Sequence, residues 1–136
     1  MKKLRVAIIG QGRSGKDIHL FIAGYGVVGK ALVDIIAKNR AKIEKRTGRR
    51  LHVCGLSNSR RFILDKNGLS LDNIAEQLAD GYSSADEAYF NQLATLAMEN
   101  SVFVDCTASA DIAFKYMNLF KRGYSVVACN KITFSL

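Results

Sequence analysis

The sequence predicts a single α/β domain of the Rossmann type, in which helices cover both faces of a doubly wound parallel sheet. Three observations predict this fold. The strand-length segments are continuous apolar runs, as strands buried on both faces require. Amphipathic helical segments separate these runs, and a G-x-G-x-x-G loop joins one run to a long helical segment. A length of 136 residues suits one domain with its own core.

The first complete unit consists of a strand, a glycine loop and a helix. Residues 18–23 form an apolar run that leads into Gly24. From Val28 onward apolar residues recur at helical spacing, and Gly48 supplies a C-terminal stop. This context favours the loop from Gly24 to Gly29 as a nucleotide-binding loop, because the pyrophosphate of a dinucleotide binds where such a loop opens a helix.

Apolar runs and turn residues define the next elements. A second strand is predicted over residues 50–57. A short run at residues 62–64 with a turn at residues 65–68 indicates a hairpin-like excursion. Two helices follow, over residues 71–79 and 84–98, and the second opens with a sequence that matches a capping box.

Two further strands and one helix complete the sheet. A strand is predicted over residues 101–107, a helix is capped by Ser109 and ended by Gly123, and residues 124–129 form the last strand. Strands that are consecutive in the sequence usually pair in the sheet, and this rule predicts the order of the strands. Residues 18–23 are central, residues 51–56 and 102–106 flank them, and residues 125–128 lie further out.

A second G-x-G-x-x-G motif, at residues 10–15, follows an apolar run at residues 4–9. A helix opened by this motif would have to absorb two later glycines, each costing about 1 kcal/mol relative to alanine. We therefore interpret residues 1–16 as an atypical extension with an extra strand and residues 17–136 as the Rossmann domain. The start of the chain also resembles the amino-terminus of the glucose–fructose oxidoreductase family, so an oxidoreductase that uses the first loop remains the alternative.

The end of the second predicted strand indicates which nicotinamide cofactor binds. NAD sites normally place an acid there for the ribose 2′-hydroxyl, whereas NADP sites place arginine near the 2′-phosphate. Here Asn58, Ser59, Arg60 and Arg61 follow the strand, and no acid is present among them. A charge-assisted hydrogen bond contributes roughly 1.5 to 3 kcal/mol, or about one to two powers of ten in affinity. NADP is therefore predicted as the cofactor, with NAD as the alternative. The alternative interpretation of Arg60 and Arg61 is an exposed basic turn that contacts no ligand.

Four segments, in order, resemble the cofactor domain of homoserine dehydrogenase. They are L-F-I-A-G-Y-G-V-V-G, L-H-V-C-G-L-S-N-S-R, V-F-V-D-C-T-A-S and V-V-A-C-N-K. The likeness covers residues 17–136 and is closest to the dehydrogenase portion of bifunctional aspartokinase–homoserine dehydrogenases. It implies NAD(P)-dependent interconversion of homoserine and aspartate semialdehyde, within threonine and methionine biosynthesis.

The same resemblance implies roles for individual residues. It places the pyrophosphate on Gly24, Gly26, Val27, Val28 and Gly29, the adenosine ribose on Asn58, Ser59 and Arg60, and the nicotinamide side on Cys106, Thr107 and Ser109. Lys131 matches the family lysine that reaches the reacting carbonyl or hydroxyl, where it would transfer or stabilise a proton.

Other polar residues in the predicted strands have structural interpretations. We expect Asp105 to fix loop hydrogen bonds at a strand end, and His19 and His52 to be structural. The three cysteines form no C-x-x-C pair and lie in apolar runs, which is typical of small buried side chains rather than of a disulfide or a zinc site.

Composition narrows the class of partners. Residues 1–61 carry 15 Lys and Arg against three acids, yet no aromatic interleaving, zinc finger or helix-turn-helix pattern indicates nucleic-acid binding. No apolar run approaches the roughly 20 residues of a membrane span, and we expect a cytoplasmic protein.

The chain ends five residues after Lys131. By the resemblance, we expect a truncated domain that binds cofactor without oxidising homoserine, cut from an enzyme that is a homo-oligomer at full length. A nucleotide-sensing Rossmann module without catalysis is the alternative that is not an enzyme.

Overall fold

The computed structural model describes residues 17–96, 98–107 and 109–129, and these contain one six-stranded sheet with the strand order β4-β3-β2-β1-β5-β6. The strands are β1 (Asp17–Ala23), β2 (Arg50–Ser57), β3 (Arg61–Leu64), β4 (Tyr82–Ser83), β5 (Ser101–Asp105) and β6 (Ser125–Ala128). The prediction of a central β1 between β2 and β5, with β6 beyond β5, is confirmed.

Strand directions confirm the fold class and refine it. β1 runs parallel to both β2 and β5, and β6 runs parallel to β5. β3 turns back antiparallel to β2, and the two-residue β4 pairs antiparallel with β3. The turn of this hairpin is at residues 58–60, whereas the predicted turn at residues 65–68 follows β3. The sheet is therefore mostly parallel, with an antiparallel edge of two strands.

Helices pack on both faces of the sheet. They are α1 (Val27–Thr47), α2 (Ile74–Ala79), α3 (Ala88–Thr95) and α4 (Ala113–Lys121). Successive side chains of β1 point to opposite faces of the sheet. Leu20 and Ile22 pack in the core beneath α1 and α2, whereas Phe21 packs in the core beneath α3 and α4. This two-sided burial explains why the strands are apolar throughout.

Left-handed glycines end the longest and the last helix where the sequence predicts. Gly48 has a φ of 74°, and its N–H donates to the Glu44 carbonyl at 2.8 Å. Gly123 has a φ of 93° just after α4. Ser109 Oγ accepts the N–H of Asp111 at 3.2 Å, at the 3-10 turn Ala110–Ile112. The predicted cap of α4 by Ser109 is wrong, because α4 begins only at Ala113 and has no side-chain capping hydrogen bond.

The capping box predicted at residues 84–87 is wrong. A 3-10 turn occupies Ala85–Glu87, and α3 begins only at Ala88. The Ser84 hydroxyl makes no capping hydrogen bond and instead donates to the Ser59 carbonyl at 3.2 Å. Asp86 and Glu87 both have left-handed backbone, which breaks the helix there.

Several expectations fall outside the described residues. These are the extra strand at residues 4–9, the first glycine motif at residues 10–15, and Lys131. Within the part of the chain that the structure describes, none of the helices is both long enough and apolar enough to span a bilayer.

Candidate functional site

A cleft of about 450 Å³ lies where the chain reverses its direction of progress through the sheet. From β1 the chain moves outward to β2, β3 and β4, and it then returns to the other side of β1 to form β5 and β6. Ligands of open α/β sheets bind in the crevice at the carboxyl ends of the strands where this reversal occurs. The cleft is lined by Ala23, Gly24, Tyr25, Gly26, Ser57, Asn58, Ser59, Phe90, Thr107, Ser109 and Ile112.

Two glycines of the loop are required by close packing of backbone. The Gly24 N–H donates to the Ser57 carbonyl at 2.8 Å, and the φ of Gly24 is +101°. A Cβ at Gly24 would lie 2.7 Å from the carbonyl carbon and oxygen of Cys106. A Cβ at Gly29 would lie 2.0 Å from the Gly24 carbonyl oxygen. The loop can therefore lie flat across the ends of the strands only because both positions lack a side chain.

The middle glycine of the loop, Gly26, faces open space. It precedes α1, is exposed, and a Cβ built on it meets nothing within 4 Å. The next two side chains, Val27 and Val28, are 87% and 37% exposed although both are apolar. An open glycine followed by exposed apolar residues leaves room for a ligand to approach the backbone at this point.

The start of α1 is suited to an anion. The first helical bond described there runs from the Lys30 N–H to the Gly26 carbonyl at 2.9 Å, so the amides of Val27, Val28 and Gly29 precede it. No acidic residue lies in the first turn of α1. The amides and the helix dipole at this end therefore favour a phosphate group.

The turn after β2 orders the residues that the sequence assigns to the adenosine ribose. The Asn58 Oδ1 accepts the backbone N–H groups of Arg60 and Arg61 at 2.8 and 2.7 Å. The Arg61 guanidinium donates to the Gly81 carbonyl at 3.2 Å, which directs it toward the antiparallel edge. Arg60 is also exposed, and it directly follows Ser59, which lines the cleft.

The end of β5 is held by a buried carboxylate. Asp105 is completely buried, and its Oδ1 accepts both the N–H and the hydroxyl of Thr107, at 2.9 and 2.7 Å. Its Oδ2 accepts the hydroxyl of Tyr116 from α4. Burial, together with this hydrogen bond, raises the pKa of Tyr116. These contacts agree with the sequence interpretation of Asp105 as a residue that fixes the loop.

The predicted site residues that the structure describes divide into three groups. Those that line the cleft are Gly24, Gly26, Asn58, Ser59, Thr107 and Ser109. Gly29 and Cys106 are buried directly behind it, and Val27, Val28 and Arg60 are exposed around it. Lys131 lies outside the described residues.

Sequence reasoning missed five cleft residues and one supporting residue. Ala23, Tyr25 and Ser57 are immediate neighbours of the predicted residues, so their position in the motifs could have identified them. Phe90, Ile112 and the supporting Tyr116 come from or next to later helices, and no local pattern marks them.

Both histidines lie near the amino ends of the parallel strands, at the end of the sheet opposite the cleft. We call this end the amino edge, and the end with the cleft the carboxyl edge. Asp17 Oδ1 bonds to Arg50 Nε at 3.0 Å and to His52 Nε2 at 2.9 Å, while His19 Nδ1 lies 2.8 Å from the Glu99 carbonyl oxygen. The hydrogen bond from His52, followed by that from Arg50, lowers the pKa of Asp17. We refer to Asp17, His19, Arg50 and His52 as the amino-edge cluster. Its groups bond to one another or to backbone, which supports a structural role for both histidines.

Two other hollows are less suited to a dinucleotide. One, of about 360 Å³, lies at the amino-edge cluster, and one of about 540 Å³ lies beside the last turns of α1 near Gly48. Both are at the amino edge of the parallel strands, where β2 begins, whereas ligands of this fold bind at the carboxyl edge. Among the described residues, His, Cys, Asp and Glu form no group of three or more that could hold a metal ion.

The carboxyl-edge cleft therefore fits a nicotinamide dinucleotide. Gly24 and Gly29 allow the loop to pack closely against the ends of the strands, and Gly26 leaves space for the pyrophosphate. The backbone amides at the start of α1 face this space, and no acidic side chain lies in the first turn.

Comparison with known proteins gives a consistent result. The family model described as the NAD-binding domain of homoserine dehydrogenase matches residues 24–135, so the match begins at the first glycine of the loop. The bifunctional aspartokinase/homoserine dehydrogenase of Haemophilus influenzae is 31% identical over 117 residues, which are 85% of this chain and 14% of that protein. A chloroplastic enzyme of the same name from Arabidopsis thaliana is 34% identical over 112 residues, 81% of this chain and 12% of that protein.

Solved structures share the fold. The homoserine dehydrogenase of Thermoplasma acidophilum superimposes with a TM-score of 0.60 and 26% identity over 83% of this chain and 35% of that one. That of S. aureus gives a TM-score of 0.62 at 19% identity over 85% of this chain and 26% of that one, a likeness of fold alone. The chain thus spans about one seventh of the length of the curated relatives quoted.

Proposed function

Because this chain belongs to the homoserine dehydrogenase NAD-binding domain family, we propose that it is the cofactor-binding part of an enzyme that interconverts homoserine and aspartate semialdehyde, with NADP as the preferred cofactor. The observation that carries the proposal is the open glycine Gly26 at the start of α1, at the point where the sheet reverses. A phosphate placed there would meet backbone amides and the positive end of the helix dipole.

The cleft residues have distinct roles in this proposal. Gly24, Gly26 and the first residues of α1 hold the pyrophosphate, while Asn58 and Ser59 face the adenosine ribose. Thr107 and Ser109, at the end of β5, face the nicotinamide side. The bound nicotinamide supplies the hydride acceptor or donor. The Asp105 carboxylate fixes Thr107 through two hydrogen bonds, so the position of this hydroxyl is set before the cofactor binds.

The preference for NADP rests on the turn after β2. The described residues of this turn contain no acid that would repel a 2′-phosphate. Arg61 is directed to the Gly81 carbonyl, so Arg60 is the arginine that we assign to the 2′-phosphate. Asn58 accepts the Arg60 backbone N–H and thereby determines where that residue leaves the turn.

Substrate chemistry is assigned by resemblance to the family. Lys131 is proposed as the group that transfers or stabilises the proton of the homoserine hydroxyl during hydride transfer. We further propose that the full-length enzyme is a cytoplasmic homo-oligomer that acts on small molecules. That this chain binds cofactor without oxidising homoserine stays a prediction.

The proposal is tested by titrating NADPH and NADH against the chain, with nucleotide fluorescence as the readout and salt held constant. Arg60→Ala is compared with Arg40→Ala, which removes an exposed arginine from α1 and controls for the loss of one positive charge. We expect Arg60→Ala to weaken NADPH binding about 10- to 100-fold and to leave NADH binding nearly unchanged. We expect no such discrimination in Arg40→Ala.

Other outcomes separate the two parts of the proposal. If neither nucleotide binds to the wild-type chain, the cofactor-binding role is wrong. If Arg60→Ala weakens NADPH and NADH equally, or neither, Arg60 does not contact the 2′-phosphate. Homoserine-dependent formation of NADPH, measured beside the titration, tests the prediction that binding and turnover separate.

A further inference from the structure

Two cysteines lie at the ends of adjacent parallel strands. Cys106 directly follows β5 and Cys129 directly follows β6, and the strand register aligns the preceding residues, Asp105 and Ala128. The Cys129 N–H donates to the Asp105 carbonyl at 2.7 Å, so the alignment continues to the cysteines. Both side chains pack against the same core, beneath α1. The two thiols are close enough to shift each other's pKa in opposite directions.

This arrangement is compatible with a disulfide. Neighbouring strands lie roughly 4.8 Å apart, and disulfide-bonded cysteines have Cα atoms about 4.4 to 6.8 Å apart. Register partners also direct their side chains to the same face of a sheet. Cys54, the remaining cysteine, belongs to the core on the other face, so it is not a partner for either of them.

The two thiols differ in exposure and in acidity. Cys106 is buried, whereas Cys129 is partly exposed. The hydrogen bond from Cys106 lowers the pKa of the Cys129 thiol, and that same hydrogen bond, together with burial, raises the pKa of Cys106. Cys129 is therefore the accessible nucleophile, and Cys106 is placed to attack it in a second step.

We propose that Cys129 and Cys106 form a thiol–disulfide exchange site for small-molecule disulfides of the glutathione type, and that its oxidation weakens cofactor binding. In the first step the Cys129 thiolate attacks one sulfur of the small disulfide, which forms a mixed disulfide and releases one thiolate. In the second step Cys106 attacks the Cys129 sulfur, releases the second small thiol and transfers its proton to it. Two protein thiols are oxidised, and one small disulfide is reduced to two thiols.

The link to the cofactor rests on the proposed function and on the contacts of Cys106. Its backbone lies against Gly24, close enough that a Cβ on the glycine would be 2.7 Å from the Cys106 carbonyl. The next residue, Thr107, lines the cleft. A covalent bond that re-orients Cys106 would therefore shift both the support of the glycine loop and the nicotinamide side.

The test equilibrates the chain with mixtures of reduced and oxidised glutathione and identifies the products by peptide mass spectrometry. We expect an intramolecular Cys106–Cys129 disulfide in the wild type and in Cys54→Ala. We expect Cys106→Ser to accumulate a glutathione adduct on Cys129, and Cys129→Ser to form neither product. Modification of Cys54 in preference to Cys129, or the absence of any Cys106–Cys129 disulfide at the most oxidising ratio, would overturn the site.

The regulatory effect is measured on the same samples by NADPH titration. We expect the oxidised wild type to bind NADPH about tenfold more weakly than the reduced protein, with recovery after dithiothreitol, and no change in Cys129→Ser. Equal affinity of oxidised and reduced wild type would overturn this effect. If the reduced protein fails to bind NADPH at all, the proposed function fails, whereas the mass-spectrometric result still decides whether the exchange site exists.

Discussion

The two edges of the parallel sheet differ in how their polar groups are satisfied. At the amino edge, Asp17 bonds to both Arg50 and His52, so these side chains are hydrogen-bonded to one another. At the carboxyl edge, the cleft is lined by glycines and small polar residues, and the amides at the start of α1 precede the first helical hydrogen bond. The polar side chains of the amino-edge cluster are hydrogen-bonded within the protein, whereas the carboxyl edge has backbone amides that could donate to a ligand.

This contrast shows that the number of charged groups is a poor guide to a binding site. The amino-edge cluster contains two histidines, an arginine and an acid, the residue types usually sought in active sites. The carboxyl-edge cleft contains none of these among its lining residues. The proposed phosphate site there relies instead on backbone amides and on the absence of side chains at glycines.

The largest effect is expected from Gly29→Ala. The new Cβ would lie 2.0 Å from the Gly24 carbonyl oxygen, so the loop and α1 would have to separate. We expect a loss of roughly 3 kcal/mol or more in the free energy of unfolding and the loss of cofactor binding. Thermal unfolding and NADPH titration check this. A variant as stable as the wild type would contradict the close contact between Gly29 and the Gly24 carbonyl oxygen.

A smaller and more selective effect is expected from Gly26→Ala. A Cβ at this position meets no protein atom within 4 Å, so folding should be little affected. The methyl group would instead occupy the space that the pyrophosphate needs. We expect NADPH affinity to fall about 10- to 100-fold while the midpoint of thermal unfolding changes by less than about 5 °C. Unchanged affinity would mean that the phosphates bind elsewhere.

The smallest effect is expected at the other edge, from Asp17→Asn. The hydrogen bonds from His52 and Arg50 lower the pKa of Asp17 below its ordinary value of 3.8. A lowered pKa in the folded state means that the carboxylate stabilises the protein above pH 3.8 and that this stabilisation is lost as the pH falls through the folded-state pKa. Because the side chain is 42% exposed, we expect less than about 1 kcal/mol at neutral pH.

Thermal unfolding of wild type and Asp17→Asn between pH 2 and pH 7 measures this contribution. The two proteins should differ most at neutral pH and converge in acid, with equal affinity for NADPH at neutral pH. A marked loss of NADPH binding in Asp17→Asn would break the distinction between the two edges.

Much of the fold could be predicted from the sequence because its signals are local. The uninterrupted apolar run of β1 indicated a strand covered on both faces, and residues 65–68 indicated the turn that follows β3. The turn that joins β2 to β3 lies earlier, at residues 58–60. The capping box at residues 84–87 failed because the Ser84 hydroxyl bonds to the Ser59 carbonyl, 25 residues earlier in the chain. The short strand β4 was missed because two residues carry no periodicity.

In the candidate site, too, the sequence indicates the contiguous motifs and misses the contacts between distant parts of the chain. The glycine loop and the turn after β2 were recognisable because each is a contiguous motif beside a strand. The different orientations of Arg60 and Arg61 were not, since the Gly81 carbonyl that binds Arg61 comes from a distant part of the chain. The support of Asp105 by Tyr116 depends likewise on the packing of α4 against the end of β5.

The most direct test of the contrast between the edges is an amide NMR titration of the ¹⁵N-labelled chain with NADP. We predict that the largest chemical-shift changes occur at the amides of Val27, Val28 and Gly29 and at Thr107, with little change at Arg50 and His52. Changes concentrated at Arg50 and His52, with the start of α1 unaffected, would contradict the assignment of the cofactor to the carboxyl edge.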